Sequence, residues 1–179
     1  MPFADVVFSY CPKCGARSFQ RQGPGILACS ACKLRFFTNV AAAVTAVISD
    51  PEGRILVVRR SKEPGRGLLD LPGGFVEPGE TAEDAIRREA REELGIEITP
   101  ARLLATAPNE YEFEGITYRT LDLVYECLTA DLGRVAAREE ISETLFKAPE
   151  DIAPQEVAFA SVRRVLPLLR KHEHRTESA

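Results

Sequence analysis

Runs of apolar residues, and alternating apolar and polar positions, divide much of the chain into strands. Segments 40–48 and 54–59 are predicted as strands, and the Asp-Pro-Glu-Gly sequence between them is a turn signal, so we expect them to pair as a hairpin. Two longer strands are predicted at 102–113 and 116–128, joined at Gly115. In the second of these, apolar side chains recur at every second position, which is the period of a β-strand.

Two other segments have the spacing of helices. Residues 82–94 are predicted as a helix, because Thr81 can cap its first turn and Gly95 can end it. A second helix is predicted over 154–171, where apolar residues recur at helical spacing. Pro167 is expected to kink this helix or to end its regular part.

The first 38 residues are too few to bury a core without a metal or disulfides. Four of the five cysteines lie here in two Cys-x-x-Cys pairs, a spacing that presents thiolates to Zn²⁺. We therefore predict a structural zinc ribbon at 1–38, a main domain at 39–172 and a polar tail at 173–179. Two disulfides or four free thiols are the alternatives, and a catalytic zinc is not expected because four thiolates leave no open position. The predicted zinc ligands are Cys11, Cys14, Cys29 and Cys32.

Acidic side chains lie on the apolar face of the helix predicted over 82–94. On a helical wheel Glu89 and Glu93 fall among the core-facing positions and Glu92 at their edge, while no lysine or arginine of the helix points there. Burying clustered carboxylates without a partner is costly, so a cation is expected. Oxygen ligands at this spacing suit Mg²⁺ or Mn²⁺, which also bind phosphates. The alternative is an exposed helix covered with Glu–Arg pairs.

Composition and charge limit the class of protein. Of 179 residues, 45% are hydrophobic and 28% charged, which is typical of a globular chain, and no apolar run is long enough to span a membrane. The start of the chain lacks the pattern of a signal peptide, so we expect a cytoplasmic protein. The net charge of −4 does not favour a polyanion binder. Residues 1–38, however, carry five basic residues against Asp5, so contact with RNA or phosphate is an alternative to a solvated packing module.

Residues 74–96 resemble the Nudix box, G-x5-E-x7-R-E-U-x-E-E-x-G-U, where U is aliphatic. Every position is met, at Gly74, Glu80, Arg88, Glu89, Ala90, Glu92, Glu93, Gly95 and Ile96. The resemblance covers residues 39–170 and implies an α/β fold, an α/β/α sandwich around a mixed sheet. It also implies hydrolysis of a nucleoside diphosphate linked to another moiety.

The same resemblance implies the metal ligands. Glu89, Glu92 and Glu93 match the carboxylates that bind Mg²⁺ or Mn²⁺, and the Gly73 carbonyl matches a backbone ligand. Such ions neutralise the developing charge on a diphosphate and activate water for attack on phosphorus. The expected activity is therefore that of a metal-dependent pyrophosphatase.

Two further roles follow from the resemblance. A glutamate outside the box joins the metal site or acts as the base; Glu140 is the expected one, with Glu143 second, and either Glu89 or Glu140 is the candidate base. Glu80 and Arg88 match a pair that braces the loop of the box against its helix.

A four-cysteine ribbon directly before a Nudix domain resembles the NADH pyrophosphatase arrangement. This chain has no tryptophan and lacks the Ser-Gln-Pro-Trp-Pro-Phe-Pro motif of those enzymes, so ADP-ribose or another ADP-linked compound is an equal candidate to NADH or NAD. Tyr111 and Phe113 are candidates to stack on a base, or else core residues. Arg59 is a candidate to reach phosphate, or else lies at a solvated strand end.

The sequence is also compatible with two other functions. One is a nucleotide-sensing regulator whose ribbon contacts nucleic acid, and the other is an enzyme that removes a nucleotide cap from RNA. A small nucleotide-derived substrate is the expected partner and nucleic acid the less favoured one. A homodimer is left open, and no membrane partner is expected.

Overall fold

The computed structural model describes residues 2–3 and 7–172, the side chains of the last two excepted. The polar tail predicted at 173–179 lies outside the described residues. In the described part, the α-helices are α1 (Ala82–Glu89) and α2 (Ala160–His172), and none of its helices is long and apolar enough to cross a membrane. The strands are β1 (Phe19–Gly23), β2 (Ile26–Cys29), β3 (Arg35–Phe37), β4 (Ala41–Ile48), β5 (Ile55–Arg60), β6 (Leu69–Asp70), β7 (Gly73–Phe75), β8 (Thr99–Phe113), β9 (Ile116–Leu128) and β10 (Ile141–Lys147).

Strands β1, β2 and β3 form a small antiparallel sheet of their own. Phe19 and Leu27 are buried there with Cys11 and Cys29, in a cluster separate from the two larger apolar cores. This sheet agrees with the ribbon expected from the cysteine spacing. Its core is small, and domains of this size usually depend on a metal or disulfides for stability.

Two larger sheets lie between α1 and α2. Four strands pair in the order β7-β4-β9-β8 and three in the order β10-β5-β6; β4 and β9 run parallel, and the other pairs are antiparallel. Both faces of β5 are buried, with Leu56 and Val58 in the core that contains α1 and Ile55 and Val57 in the core that contains α2. The expected α/β/α sandwich around a mixed sheet is confirmed.

The predicted pairing of β4 with β5 is wrong. β4 pairs with β7 and β9 and β5 pairs with β10 and β6, so one bridge, Ser49 to Ile55, joins the first two. The turn signal marks the chain reversal but does not determine which strand is the partner. Both faces of β5 are buried, so its sequence has no alternation that would identify its neighbour. The predicted hairpin of β8 and β9 is confirmed, and Glu114 and Gly115 in its turn have φ angles of 46° and 80°.

Two boundaries in the last part of the chain differ from the prediction. β10 is not evident from the sequence, because its exposed Ser142 and Glu143 interrupt the apolar pattern. α2 begins at Ala160 rather than at 154, since Pro154–Glu156 form a separate 3-10 turn. Pro167 lies inside α2 and does not end it.

Thr81 and Gly95 delimit the helical segment of the box as the sequence predicts. The Thr81 hydroxyl accepts a hydrogen bond from the Asp84 N–H at 3.1 Å, and Gly95 ends the segment with a left-handed φ of 69°. α1 itself stops at Glu89, because Ala90–Leu94 continue as a wider π-helical turn. Such turns are frequent at functional sites, and this one carries the last two acidic residues of the box.

Candidate functional site

Four cysteine sulfurs converge at the end of the small sheet. The Sγ atoms of Cys11 and Cys32 are 3.6 Å apart, those of Cys14 and Cys29 are 3.7 Å apart, and all four lie within 4.8 Å of one another. A zinc tetrahedron with bonds of about 2.3 Å has edges of about 3.8 Å, whereas a disulfide brings its sulfurs to about 2 Å. All four cysteines are free thiols. Their arrangement therefore fits a closed four-thiolate zinc site.

The surroundings of Cys29 favour its thiolate. The Ser18 hydroxyl lies 3.3 Å from the Cys29 sulfur, and the Cys32 N–H donates to the same sulfur at 3.5 Å. These hydrogen bonds, that of Ser18 foremost, lower the pKa of Cys29 to about 6. The thiolate is the form in which cysteine binds zinc.

A second site is a cavity of about 330 Å³ formed by α1, the strands β4 to β9 and the loop before β10. Seven acidic side chains line it, against the two basic side chains of Arg60 and Arg88. Such an excess of negative charge attracts cations. The acidic residues are Asp70, Glu77, Glu89, Glu93, Asp122, Glu139 and Glu140.

Two glycines let the box loop pass close to β4 and α1. Gly73 pairs with Thr45 at a φ of 150°, and a Cβ there would lie 2.9 Å from the Val44 carbonyl carbon. A Cβ on Gly74 would lie 2.6 Å from the Cδ of Glu89. At Gly73 the obstacle is backbone, so no side chain fits, whereas a Cβ at Gly74 would push the Glu89 carboxylate out of its present place. The backbone itself therefore forms this wall of the cavity.

Glu93 and Glu89 are partly buried beside this backbone. The Gly73 N–H donates to the Glu93 carboxylate at 3.0 Å. Burial raises the pKa of Glu93 to about 8, with Glu89 and Asp70 adding to the rise, and burial likewise raises the pKa of Glu89 against the opposing effect of Arg88. A divalent cation bound here would offset the cost of the buried charges. Carboxylate oxygens are ligands that Mg²⁺ and Mn²⁺ prefer, so the donor set fits such an ion.

The expectation that no basic side chain of the helix points toward these carboxylates is wrong for Arg88. Its guanidinium donates to Glu89 at 2.8 Å and to Glu92 at 3.1 Å. It also donates to Glu80 at 2.8 Å and to the Phe75 carbonyl at 2.9 Å, so the predicted contact of Glu80 with Arg88 is present. A long side chain reaches around the helix, which a wheel of Cα directions does not represent.

The three box glutamates do not converge on one point. Glu89 and Glu93 line the cavity, whereas Glu92 is exposed and paired with Arg88. In the part of the chain that the structure describes, the cysteines form a cluster within 4.8 Å and these carboxylates do not. Gly73, the predicted backbone ligand, lines the cavity beside Glu93. The roles of all four as magnesium or manganese ligands stay predictions.

The loop before β10 brings two more glutamates to the cavity. Glu140 lines it and forms an ion pair with Lys62 at 2.9 Å. Glu143, the second choice from sequence, lies outside the cavity wall and pairs with Arg59 at 2.8 Å. Glu139, which the sequence reasoning missed, also lines the cavity and has a positive φ of 48°.

The three predicted substrate-binding residues do not form one surface. Tyr111 lines the cavity. Phe113 is exposed outside the cavity wall and stacks on Tyr111, with ring centroids 6.5 Å apart. Arg59 also lies outside the wall, where it donates to the Gly67 carbonyl at 2.8 Å and pairs with Glu143.

Polar residues of β6, β8 and β9 complete the cavity wall and were not singled out from the sequence. Asp70 pairs with Arg60 at 3.2 Å, and burial raises its pKa to about 6. Asn109, Thr120 and Asp122 are also buried there. The alternation in β9 did carry a signal, because Thr120 and Asp122 lie on one face of the strand and line the cavity, whereas Glu126 further along pairs with Arg102 outside it.

Comparison with known proteins identifies the family to which a chain with this geometry is similar. A family model described as the NUDIX domain matches residues 40–169. The chain is 30% identical over 97 residues to an NAD-capped RNA hydrolase NudC of Stutzerimonas stutzeri, which is 54% of this chain and 34% of that protein. It is 44% identical over 64 residues to an ADP-ribose pyrophosphatase of Methanocaldococcus jannaschii, which is 36% of this chain and 37% of that protein.

A longer alignment links the chain to the NudC of Deinococcus radiodurans, with 27% identity over 160 residues, 88% of this chain and 55% of that protein. The chain thus spans about a third to a half of the curated relatives it matches. Among solved structures, a NUDIX hydrolase from Nitrosomonas europaea has the same fold, with a TM-score of 0.67 at 23% identity over 96% of this chain and 94% of that one. The MutT protein of Methanosarcina mazei follows, with a TM-score of 0.62 at 26% identity over 76% of this chain and 96% of that one.

The cysteine cluster leads to a prediction about metal content. We expect the purified protein to hold one zinc ion per chain, and Cys14→Ser to lose most of it and to melt at a lower temperature, because the ribbon core is small. Elemental mass spectrometry and thermal unfolding measure the two effects. Cys127→Ala is the matched control, since Cys127 is buried in the core under α1 and should leave the zinc content unchanged. A wild-type protein that melts at the same temperature after verified zinc removal would contradict the prediction.

Proposed function

This chain belongs to the Nudix family, and from that premise we propose that it is a metal-dependent pyrophosphohydrolase of ADP-linked compounds. NADH or NAD and ADP-ribose are the candidate substrates. The observation that supports this most is the position of Glu89 and Glu93 in one cavity, beside a backbone that donates a hydrogen bond to Glu93. A nucleotide-sensing regulator is less favoured, because pure binding has no need of the complete set of box carboxylates.

The charge of the cavity requires cations to accompany a diphosphate. Seven acidic side chains against two basic ones would repel a bare diphosphate. We assign the metal ligands to the three box glutamates, to Glu140 and to the Gly73 carbonyl. Bound there, Mg²⁺ or Mn²⁺ supplies neutralisation of the diphosphate charge and activation of water. The box glutamates are Glu89, Glu92 and Glu93.

The protein's own groups hold the carboxylates in position. The Gly73 N–H orients Glu93, and Arg88 ties Glu89 to the box loop through the Phe75 carbonyl. Glu89 and Glu140 approach the cavity from α1 and from the loop before β10, and they are the two candidates to accept a proton from the attacking water. Holding water and diphosphate in one cavity reduces the entropy cost of their reaction.

The candidate substrates share an adenosine diphosphate moiety and differ in what is attached to it. One relative is named for NAD-capped RNA and another for ADP-ribose. The segment 106–113, which stands where NADH pyrophosphatases carry their tryptophan motif, contributes Asn109 and Tyr111 to the cavity. The shared moiety is therefore the part of the substrate that this cavity is proposed to bind, and a substrate panel ranks the attached groups.

A second candidate, removal of a nucleotide cap from RNA, is favoured by the surface of the ribbon. Phe8, Tyr10 and Phe37 are exposed there. The segment 7–38 carries five lysines and arginines and no acidic residue. Exposed aromatic rings between basic side chains are typical of surfaces that bind single-stranded nucleic acid.

The substrate panel tests the first proposal. We expect AMP to appear from NADH, NAD or ADP-ribose only with Mg²⁺ or Mn²⁺, and Glu93→Gln to lower kcat/KM on the order of 100-fold, because it removes a buried charge from the metal site. Chromatography of the products measures both. Glu97→Gln is the matched control, since Glu97 is exposed and paired with Arg91. No metal-dependent product from any of these substrates, diadenosine polyphosphates or nucleoside triphosphates would defeat the proposal.

The two glutamates near β10 allow a matched comparison. We expect Glu140→Gln to lower kcat by about 10-fold or more, because Glu140 lines the cavity. Glu143→Gln should leave kcat close to wild type, since Glu143 lies outside the wall. Steady-state kinetics with the best substrate of the panel measures both variants. Equal loss in the two would show that the effect comes from the loop as a whole and not from a group in the site.

The RNA candidate is tested by adding an RNA chain to the same cap. If the ribbon contacts RNA, KM for NAD-capped RNA should lie below KM for NAD and rise steeply with salt. Arg17→Glu combined with Arg35→Glu should remove this advantage and leave NAD hydrolysis unchanged. Arg102→Glu combined with Arg134→Glu, outside the ribbon, is the control for net charge. Equal KM values for both substrates at low salt would end this candidate.

A further inference from the structure

Three polar side chains form part of the cavity wall although none belongs to the box. Asn109, Thr120 and Asp122 are 9%, 3% and 6% exposed, and all three line the cavity. We propose that this polar strip, Asn109, Thr120 and Asp122, binds the adenine ring of the substrate. The proposal rests on the proposed function and extends it to the base.

The strip lies on one face of the antiparallel pair β8 and β9. Asn109 is directly opposite Thr120, and Asp122 follows two residues later on β9, so the three side chains point to the same side of the sheet. Both strands are held in register by neighbouring pairs. The strip is therefore a rigid surface, which suits recognition of a flat ligand edge.

Much of the hydrogen-bonding capacity of the strip is unused within the protein. The Thr120 hydroxyl donates to Asp122 Oδ1 at 2.8 Å. Within residues 2–3 and 7–172, neither Asp122 Oδ2 nor the Asn109 carboxamide makes a hydrogen bond to the protein. The fully buried side-chain oxygens without a partner there are those of Thr38 and Ser161, so the free groups of Asn109 and Asp122 are open to the cavity. Both groups face the cavity with hydrogen-bonding capacity that the protein does not use, so a ligand there can take the place of water.

The neighbouring carboxylate of Asp70 differs from that of Asp122 in its hydrogen bonds to the protein. Its carboxylate accepts from the Arg60 guanidinium at 3.2 Å and from the Leu71 N–H at 2.9 Å. Asp70 is thus engaged on both oxygens by the protein. Asp122 is engaged on one oxygen by Thr120, which leaves the other to accept from a donor in the cavity.

An aromatic wall stands beside the polar strip. Tyr111 is two residues beyond Asn109 on the same face of β8. Its ring lies edge-on to Phe75 at 5.2 Å and tilted against Phe159 at 5.7 Å, and all three rings line the cavity. Aromatic faces bind flat heterocycles by stacking, so a base can place its face on this wall and its edge on the strip.

The strip lies apart from the metal carboxylates but within the same cavity. Ala43 of β4 pairs with Asp122 on one side and with Phe75 on the other. Thr45, two residues or about 7 Å further along β4, pairs with Gly73, whose N–H holds Glu93. This offset lets a nucleotide place its phosphates at one end and its base at the other.

The chemistry of the strip selects adenine over a 6-oxo purine. The only donor on the edge of adenine is its 6-amino group, and the adjacent ring nitrogens accept hydrogen bonds. The Asp122 carboxylate accepts from the amino group, while the Asn109 carboxamide matches the amino group and a ring nitrogen, a pairing that asparagine commonly makes with adenine. Hypoxanthine presents an oxygen at the same position, which the carboxylate repels.

The test compares each substrate with its hypoxanthine counterpart. For wild type, we expect kcat/KM with ADP-ribose or NADH to exceed that with the hypoxanthine analogue by about 10-fold. Asp122→Asn keeps the shape of the side chain but adds a donor, so it should abolish or reverse this ratio. Asp131→Asn, in the loop after β9, should leave the ratio unchanged. Equal ratios in wild type and Asp122→Asn would overturn the proposal, including the case in which both substrates lose activity equally.

Binding of the products separates this proposal from the proposed function. Titration calorimetry should show wild type binding AMP more tightly than IMP, with the difference reduced in Asp122→Asn and in Thr120→Val, a second variant that frees Asp122 from its partner. If no substrate is hydrolysed but this binding pattern holds, the strip stands and the hydrolase proposal fails. If substrates are hydrolysed but AMP and IMP bind alike, the strip proposal fails alone.

Discussion

The close approach of the box loop to β4 and to the helical segment is the constraint on which the candidate site depends. No Cβ fits at Gly73 against the Val44 carbonyl, and a Cβ at Gly74 would displace the carboxylate of Glu89. The loop therefore lies flush with both neighbours, and the Gly73 N–H reaches the carboxylate of Glu93. Steric fit determines where these charges sit, and the charges then determine that the cavity attracts cations.

The two candidate metal sites differ in how closely the protein brings the ligand atoms together without an ion. The four sulfurs already have the spacing of a zinc tetrahedron, and the ribbon that carries them has a small apolar core. Around the cavity, Arg88 pairs with Glu89 inside the wall and with Glu92 outside it, and the surrounding fold is stabilised by two large apolar cores. Zinc bound in the ribbon would thus contribute to folding, whereas the fold around the cavity does not depend on an ion there.

Local spacing along the chain was enough to predict the parts of the site that lie within one turn or one helix. The cysteine pairs predicted the thiolate cluster, and Thr81 and Gly95 predicted the ends of the helical segment. The placement of Glu89 and Glu93 on the cavity side followed from helical periodicity alone. Each of these features depends on residues close in sequence, whose relative positions the backbone geometry fixes.

Only the tertiary structure decided which distant segments meet. It paired β4 with β7 and β9 instead of β5, brought Glu140 rather than Glu143 to the cavity, and turned Asn109 and Asp122 inward. A strand buried on both faces has no periodicity that identifies its partner or the face that lines a cavity. Strand pairing and the orientation of each face depend on packing between elements far apart in the chain. The sequence alone therefore determined which chemical groups are available. The fold determined which of these groups line the same cavity.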